Sequence, residues 1–457
     1  MPALANPPPP TYVALRVIET ARDSKHRLTE LPQINFGPRE DRPRSVIECY
    51  PERTRQTIVG FGGAFTESTG YVLQKLDAAK RAEVLRQYFD PKAGIGYSLC
   101  RTHINSCDFS LGNWACDEVP GDVELKHFNL DRTREHIIPI IHEAQRVPGA
   151  KFHLFASPWS PPAWMKTNGM MNEGGQLLPQ YRDAWALHYV KYIQAMEAEG
   201  IPIWGLTVQN EPAATQRWDS CVYSAEEERD FVRDHLGPTL RKHGLGDRKL
   251  MVWDHNCNVL LEHARAMYDD PKAAAFVWGT AFHWYSGPGF KELAETHEAY
   301  PNKALLFTEG CCENGVKIGF WEHGERYGHN MIGHLRNWTT GWVDWNMALD
   351  EVGGPNHVGN FCDAPVIVDT KTKEVHYQPA FYYIGQISKF VRPGAVCIES
   401  TTAGNGLESV AFRNPDRTVA VVVMNGSNEA KPVEIVIGPQ LAAGTCPPHA
   451  IQTYVTK

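Results

Sequence analysis

The feature of this 457-residue chain that most constrains its fold is an eightfold alternation of short apolar runs and longer helical segments. Each run has the length of one buried strand, and the segments between the runs carry the periodicity of helices. Repeated strand–helix alternation of this kind predicts an α/β fold of the (β/α)8 TIM-barrel type. The eight runs are residues 58–65, 97–104, 151–157, 203–209, 249–254, 279–285, 304–309 and 341–348.

Polar or aromatic side chains follow the C-terminal end of every run, and active sites of barrels form on that face. Their placement predicts a functional site assembled from the loops at one end of the barrel. The residues concerned are Thr66 and Glu67, His103 and Asn105, Ser157 and Trp159, Asn210 and Glu211, Asp254 to Asn256, His283 and Tyr285, Glu309, and Trp345 and Asn346.

Two glutamates stand out among these residues. Glu211 follows the fourth run and precedes Pro212, whereas Glu309 ends the seventh run and precedes Gly310. A carboxylate at the end of a buried strand is costly unless it is hydrogen-bonded or used. Two carboxylates facing each other across a cleft supply the acid and the anion that cleavage of a glycosidic bond requires. The alternative is that each glutamate is a strand-end residue paired with a nearby Arg or Lys.

The two ends of the chain do not fit the barrel pattern. Residues 1–56 and 391–457 contain short, Val-rich, roughly alternating runs separated by turn residues such as Asn425-Gly426. We therefore expect a β-sandwich side domain built from both termini, with residues 57–390 forming the catalytic barrel.

Bulk properties argue against several functions. The formal net charge is −8 and no run is rich in Lys or Arg, which argues against nucleic acid as a partner. No apolar stretch approaches the roughly 18 residues that cross a bilayer. Residues 1–10 lack a basic-then-apolar leader, so we expect a soluble protein with no signal peptide in the sequence as given, and the compartment stays open.

The eleven cysteines include no CxxC pair and no spacing typical of a zinc site. Cys107 and Cys116 bracket a loop that either closes as a disulfide or holds two buried thiols. The thirteen Trp supply large flat surfaces of the kind on which sugar rings pack, in addition to their use in the core.

At the level of motifs, the chain resembles glycoside hydrolase family 30, whose members include glucosylceramidases and endo-β-1,6-glucanases. The likeness runs from about residue 60 to the C-terminus, and its order of motifs is more specific than the single motif NEP. The matching stretches are 61–67 (FGGAFTE), 106–110 (SCDFS), 156–169 (ASPWSPPAWMKTNG), 208–212 (VQNEP), 282–285 (FHWY), 308–311 (TEGC), 341–346 (GWVDWN) and 353–356 (GGPN).

The resemblance implies a retaining hydrolase of β-D-glucosidic bonds that works by double displacement. Glu211 is implied as the acid/base and Glu309 as the nucleophile, with a covalent glycosyl–enzyme intermediate. Retention requires the two carboxyl groups about 5 Å apart. The nucleophile should be ionised while the acid keeps its proton, so the site has to separate the two pKa values.

The resemblance also implies a set of substrate-binding residues. Arg101 is expected as a cation that orients the nucleophile, and Tyr285 as a hydrogen-bond donor to Glu309. His283 is either part of the site or a core histidine with satisfied hydrogen bonds. The full set is Arg101, Asp108, Trp159, Asn210, Trp218, His283, Tyr285, Trp345 and Asn360.

The substrate remains the main open question. Residues 216–221 follow the acid/base and resemble the glucanase-like members, which favours β-1,6-linked glucan or gluco-oligosaccharides. Glucosylceramide and simple β-glucosides or β-xylosides are the alternatives. A metal-dependent barrel hydrolase would need an HxH pair, which is absent, so we expect no metal and no cofactor. A carbohydrate-binding protein with an inactive barrel is the remaining alternative, although both glutamates are present.

Overall fold

The computed structural model describes residues 12–39 and 46–457. The segment 1–10, on which the expectation of no leader depends, lies outside the described residues. In the described part of the chain, no helix is both long enough and apolar enough to span a bilayer.

The strands, in chain order, are β1 Ala14–Ala21, β2 Thr29–Asn35, β3 Gly37–Pro38, β4 Ile47–Thr57, β5 Gly60–Phe65, β6 Leu99–Ile104, β7 His153–Pro158, β8 Gly205–Thr207, β9 Lys249–Asn256, β10 Gly279–His283, β11 Ala304–Glu309, β12 Thr339–Asn346, β13 Ala348–Asp350, β14 Val366–Val368, β15 Val375–Tyr377, β16 Val396–Ser400, β17 Glu408–Arg413, β18 Val419–Asn425, β19 Lys431–Ile437, β20 Gln440–Cys446 and β21 Ala450–Thr456.

The helices are α1 Glu67–Gln74, α2 Ala78–Phe89, α3 Asp131–Gln145, α4 Arg182–Ala198, α5 Ala225–Phe231, α6 Gly237–Lys242, α7 Leu260–Tyr268, α8 Pro271–Ala274, α9 Phe290–Ala299, α10 Trp321–Arg336 and α11 Pro379–Ser388. Short 3-10 turns occupy Ala163–Met165, Pro179–Tyr181 and Cys257–Val259, and a π-helical turn at Val232–Leu236 separates α5 from α6.

Side-chain caps fix where several of these helices begin. At α5 the Ser224 hydroxyl accepts a hydrogen bond from the Glu227 N–H, and the Glu227 carboxylate accepts one from the Ser224 N–H. This reciprocal pair is a capping box, and it satisfies two donors that the first helical turn leaves free. Asp77 caps α2 and Thr66 caps α1 in the simpler one-bond form.

Strands β5 to β12 close into the predicted barrel. Their order around the barrel is β10-β11-β12-β5-β6-β7-β8-β9, and every pairing is parallel. Each strand overlaps one of the eight apolar runs, so the fold prediction is confirmed. Close approach of β5 to β6 explains Gly62, where an added Cβ would lie 1.7 Å from the Leu99 carbonyl oxygen.

The interior of the barrel is a packed core rather than a channel. Six buried side chains, from six of the eight strands, meet there. They are Leu99, Phe155, Met251, Ala281, Leu306 and Val343. Because this layer fills the middle of the barrel, the polar residues at the C-terminal ends of the strands form the floor of any ligand site on that face.

Ten further strands form one sheet in the order β2-β1-β21-β18-β17-β16-β4-β19-β20-β3, and β13, β14 and β15 form a small separate sheet. Strand β1 pairs antiparallel with β21, and β4 lies between β16 and β19, so strands from both chain ends are hydrogen-bonded together. The sheet has its own apolar core, which includes Leu15, Ile47, Val421, Ile435 and Tyr454.

Contacts divide the chain into two compact units. One consists of the described residues up to Ile58 together with 321–336 and 382–457, and the other of residues 59–320 and 337–381. Helix α10 therefore groups with the sheet, although its sequence position suggested a helix of the barrel. Its Gly328 explains this packing, since a Cβ there would come within 2.8 Å of Met424 and Tyr383 of the same unit.

All eleven cysteines are free and buried. The disulfide alternative for Cys107 and Cys116 is therefore excluded. The loop between them is held by other means, since the Ser106 N–H donates to the Trp114 carbonyl and the Cys116 N–H donates to Asn105 Oδ1, each at 2.9 Å.

Candidate active site

The two glutamates singled out in the sequence come together at the C-terminal end of the barrel. Glu309 is the last residue of β11, and Glu211 lies four residues beyond β8. A carboxylate oxygen of Glu211 and one of Glu309 lie within 4.8 Å of each other. The Glu211 backbone has φ of +48°, and its N–H donates to the Asp254 carbonyl at 3.0 Å. A non-glycine residue held in this conformation stores strain that the surrounding structure has to stabilise.

Arg101 of β6 connects both sides of the site. Its guanidinium donates to Glu309 Oε2 at 2.6 Å, to Asp254 Oδ2 at 2.8 Å and to Asn210 Oδ1 at 2.9 Å. A fully buried cation is stable only when it is paired and hydrogen-bonded. The guanidinium meets that condition, since Ser157 Oγ accepts from its Nε. The sequence-based expectation of a cation that contacts Glu309 agrees with this geometry.

Asp254, near the end of β9, is a central residue to which the sequence assigned no specific role, although it was among the polar residues after the fifth run. Oδ2 accepts hydrogen bonds from Arg101 and Thr207, and Oδ1 accepts from Thr308 and is paired with His283. Burial opposes its charge, but the Arg101 guanidinium and these donors hold the pKa of Asp254 well below its usual range. The available signal was a charged residue at the end of a buried apolar run.

His283, the last residue of β10, lies between three carboxylates. Nε2 is 3.0 Å from Asp254 Oδ1, and Nδ1 is 3.3 Å from Glu211 Oε1 and 3.9 Å from Glu309 Oε1. Burial lowers the pKa of His283, but the charge of Glu309 and the hydrogen bonds with Asp254 and Glu211 raise it to about 9. The ring is therefore an imidazolium at neutral pH, with both nitrogens donating.

The two glutamates have pKa values displaced in opposite directions. Burial raises the pKa of Glu309, and the charge of Glu211 raises it further against the opposing charges of His283 and Arg101. Burial acts on Glu211 as well, but the hydrogen bond from His283 and the charge of His255 leave its pKa lowered. This order is the reverse of the one that an ionised Glu309 and a protonated Glu211 require.

Further contacts orient the two carboxylates. Tyr285 Oη donates to Glu309 Oε1 at 2.9 Å, as the sequence predicted, and lies 3.5 Å from Cys311 Sγ. Gln216 Nε2 donates to Glu211 Oε2 at 3.2 Å, and His255 Nε2 lies 3.8 Å from Oε1 of the same glutamate. Each glutamate thus has a neutral donor of its own in addition to the shared charges.

A cavity of about 150 Å³ lies in front of the two carboxylates. Seven of the nine predicted substrate-binding residues line it, namely Asp108, Trp159, Asn210, Trp218, Tyr285, Trp345 and Asn360. Arg101 and His283 are fully buried behind the carboxylates and are absent from the lining. His255 and Asn256, which the sequence placed after the fifth run, also line the cavity. The remaining lining residues, to which the sequence assigned no role in the site, are Phe109, Gln216, Cys311, Glu313 and Cys362.

One end of the cavity combines a carboxyl group with two indoles. Asp108 Oδ2 accepts hydrogen bonds from the side-chain amides of Asn356 and Asn360, both at 3.1 Å. Burial raises the pKa of Asp108 to about 7. Trp159 and Trp345 stack on each other with ring centroids 5.1 Å apart. Such a combination of acceptors and flat apolar surface suits the hydroxyls and C–H faces of a sugar.

Glu211, His283 and Glu309 form the group of side chains in the site that comes nearest to a set of metal ligands. One ligand atom from each of Glu211, His283 and Glu309 lies within 4.8 Å of the others, which is close enough to surround a cation. A histidine ligates metal through a neutral nitrogen with a free lone pair. Both ring nitrogens of His283 already have carboxylate partners, Nε2 with Asp254 at 3.0 Å and Nδ1 with Glu211 at 3.3 Å, so a cation at this position would have to displace one of these contacts.

Comparison with known proteins identifies the family. The TIM-barrel domain of glycosyl hydrolase family 30 matches residues 58–391, and the β-sandwich domain of the same family matches residues 394–454. This chain is a member of glycoside hydrolase family 30. The family's sandwich domain thus consists of strands after residue 394 rather than of both termini, which corrects the sequence-based prediction. The N-terminal strands β1 to β4 lie in the same sheet outside the matched residues, and β4 joins β16 to β19.

Individual relatives agree with this assignment. The chain is 37% identical to mouse lysosomal acid glucosylceramidase over 436 residues, which cover 90% of this chain and 83% of the mouse protein. Two solved structures match this chain over nearly its whole length. Each match covers 97% of this chain and 99% of the other protein's chain. SrfJ from Salmonella typhimurium has a TM-score of 0.93 at 36% identity, and the endo-β1,6-glucanase BT3312 has 0.87 at 33%. The protein is a glycoside hydrolase that acts on carbohydrate, and the retaining two-glutamate mechanism is general for its family.

Proposed function

We propose that this protein hydrolyses β-D-glucosidic bonds in β-1,6-linked gluco-oligosaccharides, with Glu309 as the nucleophile and Glu211 as the acid/base. The observation that carries the proposal is the approach of the two carboxylates to within 4.8 Å at one small cavity. Inverting glycosidases hold the carboxyl groups roughly 6.5–9.5 Å apart to admit a water, whereas retaining ones hold them at about 5–5.5 Å. The short separation favours direct attack by one carboxylate.

The contacts of each glutamate support the division of roles. Glu309 accepts hydrogen bonds from Arg101 and Tyr285, which fix its two oxygens and stabilise an anion. In the first step Glu309 attacks the anomeric carbon while Glu211 protonates the departing oxygen. In the second step Glu211 takes a proton from water, and the resulting hydroxide oxygen attacks the same carbon and releases Glu309.

The size of the cavity favours a single sugar ring. At about 150 Å³ it is smaller than the roughly 300–1,000 Å³ of sites that enclose drug-sized ligands. In this proposal Asp108 and Asn360 bind the outer hydroxyls of the ring, and Trp345 contacts its C–H face. Asn210, held by Arg101, is placed to bind the 2-hydroxyl, where hydrogen bonds tighten in the transition state.

The leaving-group side favours a hydroxyl-rich aglycone. Gln216 donates a hydrogen bond to Glu211, and His255 Nε2 lies 3.8 Å from the same carboxylate. Asn256, the next residue, also lines the cavity. These side chains offer hydrogen-bond donors and acceptors where the departing oxygen would lie. The hydroxyls of a second glucose unit can form hydrogen bonds with these side chains. A lipid chain would leave their polar atoms without hydrogen-bond partners, which is costly.

One observation favours glucosylceramide as a second candidate. Four apolar side chains are well exposed on the two loops that also carry the cavity residues Glu313 and Asn360. The loops are joined by the Gly315 N–H, which donates to the Phe361 carbonyl at 3.0 Å. A lipid tail would cover such side chains. They are Ile318, Phe320, Val352 and Phe361, at 54%, 40%, 53% and 40% exposure.

The experiment compares initial rates on gentiobiose, pustulan, an aryl β-glucoside and glucosylceramide in detergent micelles. We expect the highest kcat/KM on the β-1,6-linked substrates and loss of turnover of these substrates in both Glu211→Gln and Glu309→Gln. A Val352→Ser, Phe361→Ser double variant separates the two candidates, because only hydrolysis of glucosylceramide should depend on the apolar rim. Absence of turnover on every β-glucoside, or activity that survives Glu309→Gln, would overturn the proposal.

A further inference from the structure

Lys166 is a buried cation that the proposed chemistry does not use. It is 3% exposed, and its ammonium donates to the Met171 carbonyl at 2.9 Å and to the Ser220 carbonyl at 2.5 Å. Burial lowers the pKa of Lys166 to about 8, against the opposing charges of Cys221 and Asp219. Within the described ranges, no carboxylate forms an ion pair with it. A buried charge satisfied mainly by carbonyl groups is costly, so its retention calls for an explanation.

Ser220 carries the contact with Lys166 into a tight turn. The Ser220 hydroxyl accepts a hydrogen bond from the Gln216 N–H at 3.2 Å, and its single proton faces the carbonyls of Gln216 and Trp218, which lie 3.1 and 3.0 Å from the hydroxyl oxygen. The same hydroxyl accepts from the Gly174 N–H at 2.9 Å. Ser220 therefore organises the turn 216–220, and its own backbone carbonyl accepts a hydrogen bond from the Lys166 ammonium.

The turn 216–220 reaches the catalytic cavity through two side chains. Gln216 Nε2 donates to Glu211 Oε2 at 3.2 Å, and Trp218 lines the cavity. The turn is also hydrogen-bonded to the segment that contains Met171, because the Glu173 N–H donates to the Gln216 carbonyl at 2.8 Å. A continuous set of hydrogen bonds thus runs from Lys166 through Ser220 and Gln216 to Glu211.

We propose that Lys166 is a positioning residue for acid catalysis, which fixes the turn 216–220 so that Gln216 orients Glu211 toward the departing oxygen. The inference rests on the proposed function, since it takes Glu211 as the acid. An ammonium suits this task because its three donors diverge from one atom and can hold two carbonyls from different loops at once. A neutral side chain of similar length offers no such donors.

The test uses Lys166→Met and two substrates that differ in their need for an acid. Gentiobiose has a poor leaving group, a glucose hydroxyl, which must be protonated as it departs. The dinitrophenolate of 2,4-dinitrophenyl β-glucoside is a good leaving group and departs without a proton. We expect kcat/KM on gentiobiose to fall about 10- to 100-fold, because small misplacement of a catalytic group is costly. On the dinitrophenyl substrate the fall should be about twofold or less.

Lys303→Met is the matched control. Lys303 also donates to two backbone carbonyls, those of Ala274 and Val277, each at 2.7 Å, and burial lowers its pKa too. It precedes β11, at the opposite end of that strand from Glu309. We expect this variant to change both substrates equally or neither of them.

Ser220→Ala keeps the inference testable if Lys166→Met fails to fold, because it removes the hydroxyl and leaves the lysine. The same selective loss on gentiobiose is expected. Combining Lys166→Met with Gln216→Ala should cost no more than the larger single effect, since both act on one set of contacts. Equal losses on the two substrates, or no loss on gentiobiose, would overturn the inference. A wild-type enzyme that cleaves neither substrate would instead refute the proposed function.

Discussion

The Nε2 atom of His283 lies 3.0 Å from Oδ1 of Asp254, and this contact turns the opposite ring nitrogen toward Glu211. Because the pKa of His283 is raised to about 9, the ring carries a proton on each nitrogen throughout the neutral range. A positive charge is thereby fixed between both candidate catalytic carboxylates. The protonation of the site depends on this charge as much as on the glutamates themselves.

Replacing His283 with Gln should move the whole pH profile of kcat/KM to higher pH. The charge of the imidazolium acts to lower the pKa of Glu211 and also that of Glu309, so loss of this charge raises both pKa values. Because the two limbs of the profile report the ionisation of these two carboxyl groups, both limbs should shift upward by about one pH unit. An aryl β-glucoside is a suitable substrate.

His263→Gln is the control for that measurement. Burial lowers the pKa of His263 to about 4, so this residue is neutral over the working range, and it does not line the catalytic cavity. Its variant should keep the wild-type profile. A His283→Gln profile that stays in place or moves to lower pH would contradict the role assigned to the imidazolium.

Asp254→Asn should destabilise the protein strongly at neutral pH. The change removes the charge that pairs with both Arg101 and His283 in a fully buried position, and breaking a buried pair costs about 3–5 kcal/mol. Urea unfolding would measure the loss. Asp230→Asn is the control, because its ion pairs with Arg229 and Arg233 are partly exposed and should contribute about 1 kcal/mol or less. Similar losses in both variants would contradict the prediction.

Asp108→Asn should weaken binding of a glucose-like inhibitor about tenfold or more and remove its pH dependence. Burial raises the pKa of Asp108 to about 7, so the wild-type carboxyl ionises as pH rises through that value. A carboxylate accepts stronger hydrogen bonds from sugar hydroxyls than a protonated acid does. Inhibition constants at pH 5.5 and pH 8 should therefore differ in the wild type, with tighter binding at pH 8, and agree in the variant. A neutral inhibitor avoids titration of the ligand.

Gly62→Ala tests the close approach of two barrel strands. An added Cβ would lie 1.7 Å from the Leu99 carbonyl oxygen, so β5 and β6 would have to separate. We expect a loss of about 3 kcal/mol or more in the free energy of unfolding. Gly112→Ala, whose Cβ would meet no atom within 4 Å, should have little effect. Wild-type stability in Gly62→Ala would show that the strands tolerate the displacement.

The barrel could be predicted because parallel strands covered on both faces are nearly continuous apolar runs. The predicted runs differ from the strands mainly at their ends, as at β8, where only residues 205–207 of the run 203–209 are paired. The grouping of α10 with the sheet could not be predicted. It depends on Gly328 approaching Met424 and Tyr383, which are distant in sequence.

The residues of the candidate site could be predicted where they belong to a recognisable sequence motif. Contacts that depend only on how the strands pack could not be predicted. Glu211, Glu309 and most of the cavity lining lie in conspicuous stretches after strand ends. Asp254 was placed at this face, but its role could not be assigned, because its partners Arg101, Thr207 and Thr308 belong to three other strands and meet it only when the barrel closes. The order of the two glutamate pKa values depends on the position of His283 in the same network.

The most direct test of the account is to trap the covalent intermediate. The enzyme would be incubated with a 2-deoxy-2-fluoro-β-glucosyl donor bearing an activated leaving group, digested, and the labelled peptide sequenced by mass spectrometry. We predict a single fluoroglucosyl group on Glu309, formed by wild type and absent in Glu309→Gln. A label on another residue would contradict the assignment of the nucleophile. Rapid turnover with inversion and no label would contradict the retaining mechanism proposed for this pair of carboxylates.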